Sequence, residues 1–389
     1  MCKLRKHWPV VTLAILAAAV LCLTSLAPRL SAAKSPYVVG AVFAITGPAA
    51  SLGQPERDTA MMIEEQINGA GGINGHPLKM IIYDTAGEET KAVLAVKRLI
   101  ERDKVLAIVG PTRTGSSLAV IDTIQQAQVP LVSCAAGIQI VSPIKKWVFK
   151  TAQSDVLAVM KIIEYLRSHH ITRVAIMSES NAFGESGKKE MATRLPPAGI
   201  RIVAEESYGD KDTDVTAQLV RIKTNNAQAI IGWGTSVGAA VVVKNARQLG
   251  IKTPIILSHG VANETFLRLA GSAANGVILP AGKLLVASSL PKSDPQRAVL
   301  LQYASQFQAK FGRSADTFGG HARDAIHLVI GALRQAGSAR GQIRNQIEQT
   351  RGFVGISGVF NFSPTEHNGL TTNAFVMVKV VDGKWTPAR

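Results

Sequence analysis

Cysteine is scarce in this chain. Three occur in 389 residues, and Cys2 and Cys22 fall in an amino-terminal stretch that reads as a leader. Without that leader Cys134 stands alone, so the mature monomer holds no internal disulfide and must be stable through its own core, for which this length suffices. No second apolar run is long enough to cross a membrane. No cluster of Cys, His and Asp has metal-ligand spacing, so neither a metal nor a cofactor is expected. His169 and His170 are adjacent, and neighbours on a helix do not face one site. Also missing is the lysine of a phosphate-binding loop. Gly110, Gly115 and Ser117 fit G-x-x-x-x-G-K-[ST], but the lysine position is Ser116. That excludes an ATP-driven motor on this chain and makes a nucleotide a poor ligand. A strand followed by a Gly and hydroxyl loop and a helix start still favours an anion, because free N–H groups gather there. A carboxylate is the natural candidate.

What is present begins with MCKLRKHW, basic, then an apolar run from Val10 to Ala27, then Ser31-Ala32-Ala33. This is the pattern of a secretory signal peptide cut after Ala33, with a retained membrane anchor as the alternative. Cleavage removes four cations and no acid, taking the formal charge from +16 to +12. The remaining Lys and Arg are spread along the chain without aromatic interleaving. A nucleic-acid footprint would be a concentrated stripe, so no nucleic-acid partner is expected.

From Tyr37 strands and helices alternate: YVVGAVFAI, a helix from about Pro55 to Asn68, the GAGGING turn, LKMIIYD, a helix over Glu88–Arg102, VLAIVG, a helix to about Gln128, and VPLVS. The series restarts after Trp147–Asp155 with a helix, then TRVAIMS, IRIVAEES, AQAIIGWG, TPIILSH and NGVILPAG. Helices over Asp294–Phe311 and Phe318–Gln335 and a β-rich end follow. The fold class is α/β, two doubly wound parallel-sheet lobes, each binding at the carboxyl ends of its strands.

VVGAVFAITGPAASLGQ, INGAGGINGHPLKMIIYD, VLAIVGPTRTGSS, VPLVSCAAG, FGESG and ILSHGVANE resemble, in order and nearly in spacing, the bacterial periplasmic binding proteins for leucine, isoleucine and valine. These are type I solute-binding proteins of ABC importers. The resemblance implies two lobes joined by three crossovers, near Thr151, Gly282 and Gly358. Lobe 1 would be 34–151 plus 283–357, and lobe 2 would be 152–282 plus 358–389. It implies a carboxylate held by the loops matching Thr112–Ser117 and Ser133–Gly137, with Thr114 as the hydroxyl and backbone N–H groups at Ala135, Ala136 and Gly137. The wall residues would be Leu52, Phe183, Trp233 and Thr235. Phe183 and Trp233 could instead merely cap their strands. Where the family places an acid for an α-ammonium, this chain has His259. An unpaired buried ammonium is costly, so an aromatic or keto acid is expected rather than an ordinary amino acid, with His259 donating to an oxo or hydroxyl group. The alternative is an amino-acid ligand served by Glu179 or Glu185. Arg113 could pair the carboxylate or point to solvent.

The resemblance makes the chain a periplasmic, monomeric receptor, not an enzyme. It would hand its ligand to a membrane permease with separate ATPase subunits, or else serve as a sensor. Two rival chemistries remain. Gly234-Thr235-Ser236-Val237-Gly238 matches the G-x-S-x-G nucleophile elbow, which would make Ser236 an esterase serine. A lone pattern of common residues is weak, and no HGGG loop precedes it. Cys134 could be a nucleophile, or a small apolar residue at a strand end.

Overall fold

The computed structural model describes residues 34–388; the expected leader and its cleavage site lie outside the described residues. The first half runs β1 (Tyr37–Phe43), α1 (Ala50–Gly69), β2 (Leu78–Asp84), α2 (Glu89–Glu101), β3 (Ala107–Val109), α3 (Thr114–Ala127), β4 (Leu131–Ser133) and β5 (Val148–Lys150). These strands form a parallel sheet in the order β2-β1-β3-β4-β5. Every residue of β3, β4 and β5 is buried, as expected of parallel strands covered on both faces.

The chain continues through α4 (Asp155–Ser168), β6 (Arg173–Glu179), α5 (Ala182–Arg194), β7 (Arg201–Tyr208), α6 (Thr216–Lys223), β8 (Ala229–Trp233), α7 (Ser236–Gln248), β9 (Ile255–Leu257), α8 (Glu264–Ala270) and β10 (Ile278–Gly282). After these come α9 (Arg297–Phe311), α10 (Thr317–Ala336), α11 (Arg340–Glu348), β11 (Phe353–Val354), β12 (Val359–Phe360), β13 (Phe375–Val381) and β14 (Lys384–Pro387). The second sheet has the order β14-β13-β10-β9-β8-β6-β7. Its strands β6 to β10 are parallel, while β13 and β14 add antiparallel edges. Among the described residues no helix is long and apolar enough to cross a membrane.

Each sheet is covered by helices that present one apolar face. On the first, α1, α10 and α11 pack one side through Ile63, Val329 and Ile343, and α2 and α3 pack the other through Val96, Leu99 and Ile124. On the second, α7 and α8 contribute Val243 and Phe266 to one side, and α4 and α5 contribute Ile162 and Met191 to the other. Residues Arg297–Phe311 join α1 through a buried hydrogen bond between Thr59 Oγ1 and Tyr303 Oη, 2.8 Å.

Three features differ from the sequence expectation. α1 begins at Ala50, five residues before Pro55, and its Gly53 lies so close to the Ala44 backbone that a Cβ would overlap it. Its first turn carries Leu52. Helix α11 was not expected; Ile343 and Ile347, four apart, are enough to seat it. The third passage between sheets comes after Gly358: Phe360, Phe362, Leu370 and Ala374 still belong to the first core, and Phe375 opens β13 in the second sheet.

Trp233 ends β8 fully buried, beneath Gly187 of α5, where a Cβ would overlap the indole ring. Helix α5 therefore sits on β8 only because residue 187 is glycine. Gly187→Ala is expected to lower stability by about 1–3 kcal/mol, the cost of overpacking a core, read as a lower urea midpoint at unchanged slope.

Candidate functional site

Six strand ends converge on one cavity. β3 leads into Thr112, Arg113 and Thr114, β4 into Cys134, Ala135 and Ala136, β5 into Ala152, β6 into Asn181 and Phe183, β8 into Thr235, and β9 into His259 and Gly260. Leu52 from α1 and Phe318 and His321 from α10 complete the wall. The cavity has a volume of about 40 Å³, well below that of an occupied ligand pocket. Contacts between the sheets' loops border it. The Ser186 hydroxyl sits between Gln139 Oε1, 2.8 Å away, and the Asp155 carboxyl. Thr317 Oγ1 donates to the Ala262 carbonyl, 3.3 Å.

On the first-sheet side, α3 has no side-chain cap. Its first intrahelical bond is Ser117 N–H to the Arg113 carbonyl, so the N–H groups of residues 114–116 remain for an anion. Thr114 Oγ1 accepts from Gly137 N–H at 3.2 Å, which leaves its hydroxyl proton to donate. The Ala135 N–H is taken by Ser133 Oγ, 3.1 Å. The donors left for a ligand are thus the Thr114 hydroxyl, the helix N-terminus and the Ala136 amide.

On the second-sheet side, Ser258 Oγ donates to the Gly234 carbonyl at 2.8 Å and accepts from Gly260 N–H, fixing the end of β9 against the end of β8. This holds the His259 ring edge-on to Phe183, Trp233 and Phe375, with centroids 5.6, 6.0 and 5.3 Å away. Neither His259 ring nitrogen has a partner at ordinary hydrogen-bond distance among the described residues, although the Gln153 backbone acts weakly on the ring. Burial, reinforced by the nearby Lys150 charge, pushes its pKa down to about 3, outweighing the Gln153 backbone. Its neighbour His321 binds Ser357 Oγ through Nδ1 at 2.8 Å and is likewise pushed down to about 3 by burial. Lys150 itself is fully buried, donates to the Ala152 carbonyl at 2.6 Å, and is lowered by burial to about 7. No carboxylate stands on the cavity wall among the described residues. Glu185 is exposed. Glu179 is occupied behind Thr235, accepting from its N–H at 3.1 Å and from its Oγ1.

Residues 36–384 match the family described as "Periplasmic binding protein". The chain belongs to that family. The leucine-, isoleucine-, valine-, threonine-, and alanine-binding protein of Pseudomonas aeruginosa is 26% identical over 300 residues, covering 76% of this chain and 77% of that protein. An extracellular ligand-binding receptor from Rhodopseudomonas palustris superposes with a TM-score of 0.86 at 28% identity, covering 91% of this chain and all of that one. The branched-chain amino acid transporter substrate binding protein of Streptococcus pneumoniae, solved in complex with isoleucine, superposes with a TM-score of 0.81 at 25% identity, covering 90% and 97%. The fold is that of type I periplasmic binding proteins, and these relatives are solute-binding proteins rather than enzymes.

In this periplasmic binding protein the cavity gathers Leu52, Arg113, Thr114, Ala135, Ala136, Phe183, Thr235 and His259 of the residues expected at the site. Three others lie elsewhere. Ser133 is fully buried, its hydroxyl 2.8 Å from Ser117 Oγ. Gly137 turns its N–H to Thr114. Trp233 lies behind Phe183 and His259, drawn beneath Gly187. Cys134 lines the cavity as a buried thiol whose pKa burial raises well above its usual value, so it is no ready nucleophile. The Gly234–Gly238 pentad forms the β8–α7 turn; of Ser236 only the backbone is described. Sequence reasoning missed Asn181, Phe318 and His321. The last two stand three apart in the first turns of α10, with no pattern in the sequence that marks them. Asn181 was hidden by its capping role: Oδ1 accepts from Phe183 and Gly184 N–H.

Both cavity histidines are expected to remain neutral at about pH 5, where a solvated imidazole is mostly charged. Their folded pKa values lie below the ordinary 6.5. Between about 3 and 6.5 the unfolded chain therefore binds more protons at these rings, and their contribution to stability rises with pH and is lost on acidification. An NMR titration of the imidazole resonances checks this; midpoints near 6.5 would contradict it.

Proposed function

We propose that this protein is the exported, monomeric receptor of an ABC importer, passing its ligand to a permease with separate ATPase chains, and that the ligand is an aromatic or keto carboxylate without an ammonium group. The observation that carries the ligand class is the polar inventory of the wall: unengaged donors at Thr114 and the start of α3, two neutral imidazoles, and no acid. A carboxylate finds partners at the α3 end. An oxo or hydroxyl group finds one at His259. A ring gains contact with Phe183 and Phe318, worth about 0.5–1.5 kcal/mol per well-placed pair. An ammonium would meet no carboxylate. The lobes on this reading are 34–151 plus 283–374 and 152–282 plus 375–388, closing on the ligand. The names of the relatives favour a second reading, a branched-chain or similar amino acid.

Competition calorimetry separates the two. Phenylpyruvate or a benzoate should bind more tightly than leucine or valine, and His259→Ala should weaken the aromatic ligand. Tightest binding by leucine or valine, with no cost for His259→Ala, restores the amino-acid reading.

Thr114→Val keeps the shape and removes one donor to charge. It should cost about 1.5–3 kcal/mol of binding free energy. Unchanged affinity would remove Thr114 from the site.

A further inference from the structure

Arg113 stands at the start of α3, on the first sheet, yet its charge faces the second. Nη1 lies 3.7 Å from Asp210 Oδ2, on the loop after β7. The same Nη1 donates to the Gly87 carbonyl at 3.4 Å, which steadies the guanidinium from its own lobe. Glu179, at the end of β6, feels the same charge: burial raises its pKa, while Asn181 and Arg113 pull it down. Thus one guanidinium from the first lobe pairs with a carboxylate of the second, beside a cavity whose wall it also lines. The pair is only partly screened, with side chains 17% and 33% exposed.

We propose that Arg113 is a positioning residue which supplies, from within the chain, the positive charge that draws the two lobes together, with Asp210 as its partner, and that this charge selects against ligands carrying an ammonium. The selectivity part rests on the reading of the cavity as a site for an anion without an ammonium. Like charges at one rim repel. An ammonium placed to use Glu179 or Asp210 would meet the guanidinium already there. A ligand with only a carboxylate and an oxo group leaves the pair intact and closes the cavity over itself.

The test uses the mature chain with spin labels at Leu94→Cys on α2 and Val220→Cys on α6, positions 63% and 46% exposed; the native Cys134 is buried. Distances between the labels report lobe separation whether or not a ligand binds. Asp210→Asn should lower the closed fraction of the unliganded protein about two- to five-fold, the range a partly exposed ion pair supports. Arg113→Gln should do the same, and the double variant should do no more than either alone. Unchanged distances in Asp210→Asn overturn the latch. So does tighter phenylpyruvate binding in that variant, which would make Arg113 a ligand contact released from Asp210. Phenylpyruvate and phenylalanine, which differ only in oxo against ammonium, read the selectivity. Arg113→Gln should shift the ratio of their affinities several-fold toward phenylalanine, and an unshifted ratio removes that role. If phenylalanine binds more tightly to the unsubstituted protein, the ligand reading fails, while the label distances still decide the latch.

Discussion

A buried polar group needs a partner, and His259 has none at ordinary hydrogen-bond distance among the described residues. The constraint is severe because its ring is enclosed by Phe183, Trp233 and Phe375, with Lys150 close enough to oppose protonation. The imidazole cannot escape by becoming charged, nor by turning to water. Its hydrogen-bonding capacity is left to whatever fills the cavity. Much of the second lobe serves to hold that ring still. Ser258 ties the β9 end to the β8 end, Gly187 admits the Trp233 ring behind it, and the Asn181 cap sets the α5 start that carries Phe183.

The opposite wall works by a different device. It has a helix N-terminus without a side-chain cap, a threonine hydroxyl with its acceptor role filled by Gly137, and small residues at the end of β4 that let backbone approach closely. Positive potential there comes from peptide dipoles rather than from a cation. Arg113, the one cation on the wall among the described residues, is turned across the gap instead. On the proposed reading the site divides its work accordingly: dipoles for the carboxylate, imidazole for the second polar group, and an internal ion pair for closure.

The alternation of strands and helices was legible because each element repeats a simple period, and parallel strands buried on both faces read as short apolar runs. The strand-end loops were legible for the same reason, and Thr114, Phe183 and His259 line the cavity. Trp233 was misplaced because a strand's last side chain can face either side of the sheet, and only the glycine on α5 decides which. Ser133 and Gly137 were misjudged because their hydrogen-bonding groups are spent on neighbours, Ser117 and Thr114, and sequence does not show which donors are already used. His321 and Phe318 escaped because α10 reaches the cavity from about 180 residues beyond the β4 loop, a proximity set by packing against α1. The late third passage has a similar origin: Phe360 and Phe362 are drawn to the first core by Phe149 and by each other.

The most direct test is the crystal structure of the mature protein with phenylpyruvate. The account predicts the carboxylate at the start of α3, within hydrogen-bond distance of Thr114 Oγ1, and a ligand oxygen within hydrogen-bond distance of a His259 ring nitrogen. Density showing the carboxylate elsewhere, or His259 still without a polar partner, would contradict it.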